Sequence, residues 1–251
     1  MNLGAQYYTI RDYCRTIEDF ELSCKKVAEI GYSYIQLSGI GDFSGEEIKT
    51  VIDKYGLKVV CTHRPPANYL ENIEKEIEFH KTIGCNICGI GAMPTADRTD
   101  KGALEFADKF TPVAKRLNEE GLIFAYHNHA FEFAKYDGKY LFDIICDKMA
   151  SDNFKTILDV YWLSFAGINP AKFIREHSKN IACIHFKDLK ISGNAPVYAE
   201  VGEGNLDWDD IISACRECGV NDILVEQDDN WADNDPFISL KISYDYLKEA
   251  L

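Results

Sequence analysis

The sequence has no run approaching the ~18 consecutive apolar residues that a membrane-spanning helix needs, so no membrane span is expected. Its first residues, MNLGAQYYTIRDYC, lack a basic start followed by an apolar stretch, so no secretory signal is expected either. There is no glycine-rich phosphate loop after the first apolar run, which disfavours a doubly wound nucleotide-binding sheet. No linker rich in Pro, Gly or Ser, no low-complexity tract and no tandem repeat divides the chain, so one domain over residues 1–251 is expected. Basic charge is scarce. Lys and Arg number 27 against 41 Asp and Glu, and the resulting net charge of −14 repels phosphate backbones and excludes nucleic acid as the expected partner.

Cysteine is present, but not in a disulfide pattern. The nine residues at positions 14, 24, 61, 85, 88, 146, 183, 215 and 218 are odd in number, and the chain is long enough to build a core without staples. A reduced, cytoplasmic setting is therefore expected. Cys85-x-x-Cys88 and Cys215-x-x-Cys218 have zinc-like spacing. The first falls in the apolar run CNICGIG and the second in the helical pattern ACRECG, so small buried thiols are the reading.

What recurs is an apolar run followed by a charged amphipathic stretch. Asn2–Ile10 precedes a helical pattern over Thr16–Ile30, Tyr34–Leu37 precedes Gly45–Tyr55, Lys58–Thr62 precedes Tyr69–Ile83, and Asn86–Ile90 precedes Lys101–Glu120. Leu122–His127 precedes Tyr140–Met149, Lys155–Val160 precedes Pro170–His177, Ile181–Phe186 precedes Trp208–Cys218, and Ile223–Glu226 precedes Pro236–Leu251. Glycines at 31, 56, 84, 121 and 219 sit where helices should stop. Eight strand–helix units in 251 residues predict an α/β fold of the (β/α)8 TIM-barrel type.

In such a barrel, functional side chains project from the C-terminal ends of the strands. Those ends carry Gln6, Thr62-His63-Arg64, His127-Asn128-His129 with Glu132 close behind, Asp159, His185 with Lys187 and Asp188, and Glu226 with Asp228. Four of the six histidines fall there, whereas His80 and His177 are expected on helix surfaces. Burying several carboxylates and imidazoles together costs several kcal/mol unless they pair or share a cation, and a mixed oxygen and nitrogen set suits Mn, Mg, Co or Zn.

These residues lie in five segments: LGAQYYTIR at 3–11, YHNHAFEF at 126–133, LDVYW at 158–162, IHFKD at 184–188 with VGEGNLDW at 201–208, and VEQD at 225–228. Together they resemble the xylose isomerase-like TIM barrels of the sugar phosphate isomerase/epimerase superfamily. The resemblance implies one divalent metal ion, held by carboxylates from strands five, six and eight and a histidine from strand seven. It implies Asp159, His185 and Glu226 as ligands directly. Strand five carries His127 where many sugar epimerases of the family carry glutamate, so Glu132 is the expected fourth ligand and His127 or His129 the alternative.

The implied reaction is isomerisation or epimerisation of a small sugar-like carbohydrate through a metal-stabilised enediolate. His127, His129, Lys187 and Glu226 are the candidate catalytic groups. Gln6, His63, Arg64, Trp162 and Glu203 are candidate substrate contacts, and Trp208 and Trp231 are read either as further sugar-stacking rings or as packing. A lyase acting on an inosose or a 3-keto-glycoside is the main alternative, and a non-enzymatic sugar-binding barrel a further one. A DNA-repair nuclease on the same barrel is disfavoured, because six histidines cannot build its three-zinc cluster. A homo-oligomer is compatible with the sequence.

Overall fold

The computed structural model describes residues 1–150 and 154–251. Eight parallel strands close a barrel in chain order: β1 Asn2–Gln6, β2 Tyr34–Ser38, β3 Lys58–His63, β4 Ile87–Ile90, β5 Ile123–His127, β6 Phe154–Asp159, β7 Ile181–Phe186 and β8 Asp222–Val225. Strand β1 pairs with β2 on one side and β8 on the other, which completes the ring. The main outer helices are α1 Ile17–Ile30, α2 Gly45–Lys54, α3 Pro66–Glu71, α4 Ile73–Thr82, α5 Asp100–Glu119, α6 Leu141–Lys148, α7 Val160–Phe165, α8 Pro170–His177, α9 Trp208–Cys218 and α10 Pro236–Ala250. This is the (β/α)8 barrel that the alternating pattern predicts. Among the described residues no helix is long and apolar enough to cross a membrane.

Local chemistry sets the helix boundaries. Ser44 and Glu47 form a reciprocal capping box at the start of α2, and Thr16 and Thr99 cap α1 and α5. Gly219 ends α9 in the left-handed conformation, at φ +70°, where a Cβ is unfavourable. Three expectations change. The first run stays extended only to Gln6, because its side chain accepts the Tyr8 N–H and starts a 3-10 turn over Tyr7–Tyr13. The pattern over Tyr69–Ile83 splits at Asn72, whose side chain caps α4. His80 is buried rather than on the surface: its Nε2 bonds Thr62 Oγ1 at 2.8 Å and its Nδ1 bonds Glu76 O at 2.7 Å. His177 is half-buried, stacked on Phe173 at 3.9 Å.

The barrel interior is plugged by Val60, Cys61, Ile87, Ala125, Ile157, Cys183 and Leu224. Side chains along a strand alternate sides, so the next inward position lies two residues on. Cys61 is followed by His63, Ala125 by His127, Ile157 by Asp159, Cys183 by His185 and Leu224 by Glu226. An apolar layer in the barrel thus carries a polar layer directly above it. Strand β4 contributes Gly89 there, where a Cβ would stand 2.3 Å from Thr62 O. The CxxC thiols take no part: Cys85, Cys88 and Cys215 are buried, and burial pushes Cys85 and Cys215 up to about 12.

Two short hairpins interrupt the strand–helix alternation, at Lys135–Tyr136 with Lys139–Tyr140 and at Asp188–Ser192 with Ala195–Ala199. The second is tied to the barrel by Asp188. Its buried carboxylate accepts from the N–H groups of Leu189, Gly202, Gly204 and Leu206 and from Trp208 Nε1. A Cβ at Gly204 would lie 2.2 Å from Asp188 Oδ1, so the turn closes on the carboxylate only with glycine there. Replacing Asp188 by Ala strands several donors and should cost on the order of 3–5 kcal/mol. Chemical denaturation should show that loss, with a smaller one for Asp188→Asn, which keeps one acceptor.

Candidate functional site

The polar layer gathers His127, Asp159, His185 and Glu226, all buried, with one ligand atom from each lying within 4.8 Å of the others. Asp159 divides its two oxygens. Oδ1 accepts from Tyr161 N and Trp162 N and so caps α7, while Oδ2 faces His127 Nε2 at 3.4 Å and His185 Nδ1 at 3.8 Å. Asn128 Oδ1 accepts the Asp159 N–H at 2.9 Å and ties the two strand ends together.

Each histidine is oriented by a bond on its far nitrogen. His127 Nδ1 meets Gly91 O at 3.0 Å, which makes that nitrogen the donor and leaves Nε2 free toward Asp159. His185 Nε2 donates to Gln36 Oε1 at 2.8 Å, which leaves Nδ1 free toward the carboxylates. His185 Nδ1 and Glu226 Oε2 stand 2.9 Å apart as an ion pair, and neither buried atom makes a hydrogen bond. These two atoms face one space, where a bound cation would displace the Nδ1 proton and take the imidazole and the carboxylate as ligands. This is how metal ligands with supporting outer hydrogen bonds are arranged, and the oxygen and nitrogen donors suit a divalent ion.

Electrostatics agree. Burial disfavours the charged form of His185, but Glu226 and Asp159 outweigh it and push the imidazole up to about 10. Burial opposes ionisation of Asp159 and Glu226 too, and the Lys187 ammonium nevertheless holds both carboxyls below the usual carboxylate range. The cluster therefore calls for positive charge. Lys187 supplies part of it: its Nζ lies 2.7 Å from Asp228, 3.5 Å from Glu226 and 3.8 Å from Asp159. Burial disfavours that ammonium, but the three carboxylates keep it protonated well above the lysine range. The rings of Tyr198, Trp162 and Tyr161 surround it at 5.0, 5.3 and 5.8 Å.

Glu132, expected as the fourth ligand, is not in the cluster. Its Oε1 accepts from Tyr126 Oη at 2.6 Å and its Oε2 from His129 N at 2.8 Å, so the 3-10 turn Phe131–Phe133 turns the carboxylate away. The direct strand-end position belongs to His127, the stated alternative. His129 lies beside it, with ring centroids 4.7 Å from His127 and 5.2 Å from Trp162, and its Nδ1 is buried and unpartnered. Burial, aided by His127, pushes His129 down to about 3 and keeps the ring neutral. His63 packs 5.0 Å from His127 and 5.6 Å from His185, with Nε2 unpartnered.

The remaining candidates divide. Gln6 is buried in the polar layer with its Nε2 unpartnered, and the Trp162 ring faces His129 with Nε1 unpartnered. Arg64 is committed elsewhere, its guanidinium forked onto Glu76 at 2.9 and 3.0 Å and stacked over Phe79. Glu203 is exposed on its turn. Trp208 packs on Phe186 and Trp231 donates to Gln227 O, so both serve packing. Sequence reasoning missed Gln36. A buried polar residue between the apolar neighbours Ile35 and Leu37 was the available signal.

A barrel with a buried His, Asp, His and Glu cluster that could hold a metal ion at its C-terminal mouth defines the class. The chain belongs to the xylose isomerase-like TIM barrel family, whose model matches residues 24–236. No protein of curated function matches the sequence. A sugar phosphate isomerase/epimerase from Parabacteroides distasonis ATCC 8503 superposes with a TM-score of 0.83 at 20% identity, over 99% of this chain and 93% of that one. D-allulose 3-epimerase from Methylomonas sp. gives 0.75 at 12% identity over 100% and 98%, and the probable 3-DHS dehydratase AsbF from Bacillus anthracis 0.75 at 15% over 99% of each. At these identities the likeness is one of fold.

The Glu132 environment makes a pH prediction. Burial raises this carboxyl from 4.5 to about 7, against the hydrogen bonds from Tyr126 and His129. The native state then binds a proton that the unfolded state has lost, so its contribution to stability falls as pH rises from about 4.5 to 7, by on the order of 3 kcal/mol. Denaturation at pH 5 and pH 7.5 should show a weaker pH dependence in Glu132→Gln than in the parent.

Proposed function

We propose that the protein is a divalent-metal-dependent enzyme that moves a proton on carbon beside the carbonyl of a sugar-like substrate, isomerising or epimerising it. The observation that carries this reading is the convergence of His127, Asp159, His185 and Glu226, four buried side chains with one possible ligand atom each within 4.8 Å of the others. His127, Asp159, His185 and Glu226 are the residues that would hold the ion. When bound, a divalent cation supplies Lewis-acid polarisation of a substrate carbonyl.

The chain's own groups do the rest. His127 is pinned through Gly91 and faces the cluster, which leaves His129 for the substrate proton. Its ring is neutral, and its Nδ1 has no other partner. A substrate oxygen gathering negative charge nearby raises the basicity of that imidazole as the proton leaves carbon. Lys187 stays charged among its carboxylates and places positive charge beside the developing oxyanion. Trp162, Tyr161 and Tyr198 wall this side and exclude water. The same proton removal followed by loss of a neighbouring hydroxyl gives dehydration, and the fold likeness to a probable dehydratase supports testing both outcomes.

Calorimetric titration should find one Mn²⁺ per chain. Asp159→Asn and Glu226→Gln should each weaken binding by about 100-fold or more, and Glu132→Gln by roughly tenfold at most. With Mn²⁺ in D₂O and a panel of ketoses, inososes and keto-glycosides, NMR should detect deuterium entering beside the carbonyl. His129→Asn should slow that exchange by about 100-fold or more while Mn²⁺ affinity is kept. Absence of Mn²⁺ binding, or exchange unaffected by His129→Asn, would overturn the reading; loss of water or aglycone instead of an inverted centre would assign a lyase.

A further inference from the structure

A cavity of about 700 Å³ opens on the β2–β3–β4 side of the barrel mouth. It adjoins the ligand cluster through two of its lining residues. One is His63, packed against His127 and His185, and the other is Gly91, whose carbonyl orients His127. Gly91 follows β4, and the space its absent side chain leaves lies against the His63 ring, in ordinary van der Waals contact with it. A ligand that reacts at the cluster and extends toward β3 would reach this space beside His63.

Size and charge decide what fits. Cavities of ~300–1,000 Å³ hold ligands of drug size, which is larger than one small sugar whose reacting carbons already sit at the cluster. Among the lining residues, the Arg64 charge is cancelled by its forked bonds to Glu76. Asp42 and Lys75 add one charge of each sign. The wall is thus close to neutral and rich in groups that bond hydroxyls, with Asn68 beside them and the flat faces of Pro65 and Pro66 for an apolar ring face. A phosphate would meet a carboxylate as well as a cation there, so a neutral ring suits it better.

We propose that this cavity is a second substrate subsite that takes a neutral, hydroxylated ring joined to the unit reacting at the cluster. The substrate is then a two-ring, glycoside-like compound. The proposal rests on the enolisation reading of the cluster for which unit reacts, and on the cavity alone for what lies beyond it.

The test compares binding of a one-ring and a two-ring ligand to the Mn²⁺-loaded protein by calorimetry, with methyl 3-keto-glucoside and a disaccharide bearing the same keto ring. The disaccharide should bind about tenfold tighter. Ala92→Trp, which fills the cavity, should bring the ratio of the two affinities close to one. Lys75→Ala, at an exposed helix position, should lower it several-fold and carries the test if the tryptophan variant does not fold. Equal affinities in the parent, binding of neither ligand, or a ratio unmoved by the folded variants overturns the subsite. A tenfold preference without deuterium exchange leaves the subsite standing and instead removes the enolisation reading.

Discussion

The structure turns on one electrostatic constraint: carboxylates and imidazoles are brought together where water cannot reach them. Asp159, His185 and Glu226 are buried, and both carboxylates turn an oxygen toward His185 Nδ1, at 3.8 and 2.9 Å. Isolated buried ions are unstable by several kcal/mol, so such a layer persists only with positive charge inside it. Lys187 meets part of the demand. Asp228 is its nearest partner, so much of the ammonium charge is already spent on a third carboxylate. In the metal-dependent reading, a divalent ion would displace the His185 proton and balance the negative charges on Asp159 and Glu226, leaving the loaded site near neutral.

That constraint is placed by strand geometry. Five strands bear an apolar plug residue and, two positions later, a polar one, and the closed ring aims all five polar residues at one point. The surrounding loops are organised to keep that point fixed. Asp159 spends one oxygen on the start of α7, and Asp188 spends its carboxylate on the turn over 201–208. Both interactions hold strand ends in register with the cluster, in keeping with the precision that positioned chemistry demands.

The barrel was legible because its signal is repetitive. Eight apolar runs, each followed by an amphipathic stretch, leave few alternatives, and the strand-end residues follow from period-two alternation. Asp159, His185 and Glu226 could be placed together on that logic. What could not be read were choices made by turns and by tertiary contacts. The turn after His127 decides whether Glu132 faces inward, and it is set by the Tyr126 hydroxyl and the His129 N–H, neither of which has a sequence periodicity. His80 looked like a surface residue because α4 is polar, but its position opposite Thr62 buries it. Arg64 looked available beside two prolines, whereas Glu76, one turn into α4, claims it.

An imidazole at the end of β5, where the resemblance implies a carboxylate ligand, bears on more than the proposed ligand set. With Glu132 in the cluster, the layer would carry a third carboxylate facing the same space as Asp159 and Glu226. Lys187 would then be drawn further toward the centre to balance it. With His127 there instead, the layer holds two carboxylates, and Lys187 rests on Asp228 against the rings of Tyr161, Trp162 and Tyr198. The carboxylate that is turned away remains useful, because it anchors the backbone of His129 and so sets where that free imidazole nitrogen stands. The side chain at the end of β5, the resting place of the lysine and the position of the proposed proton acceptor are therefore one linked choice.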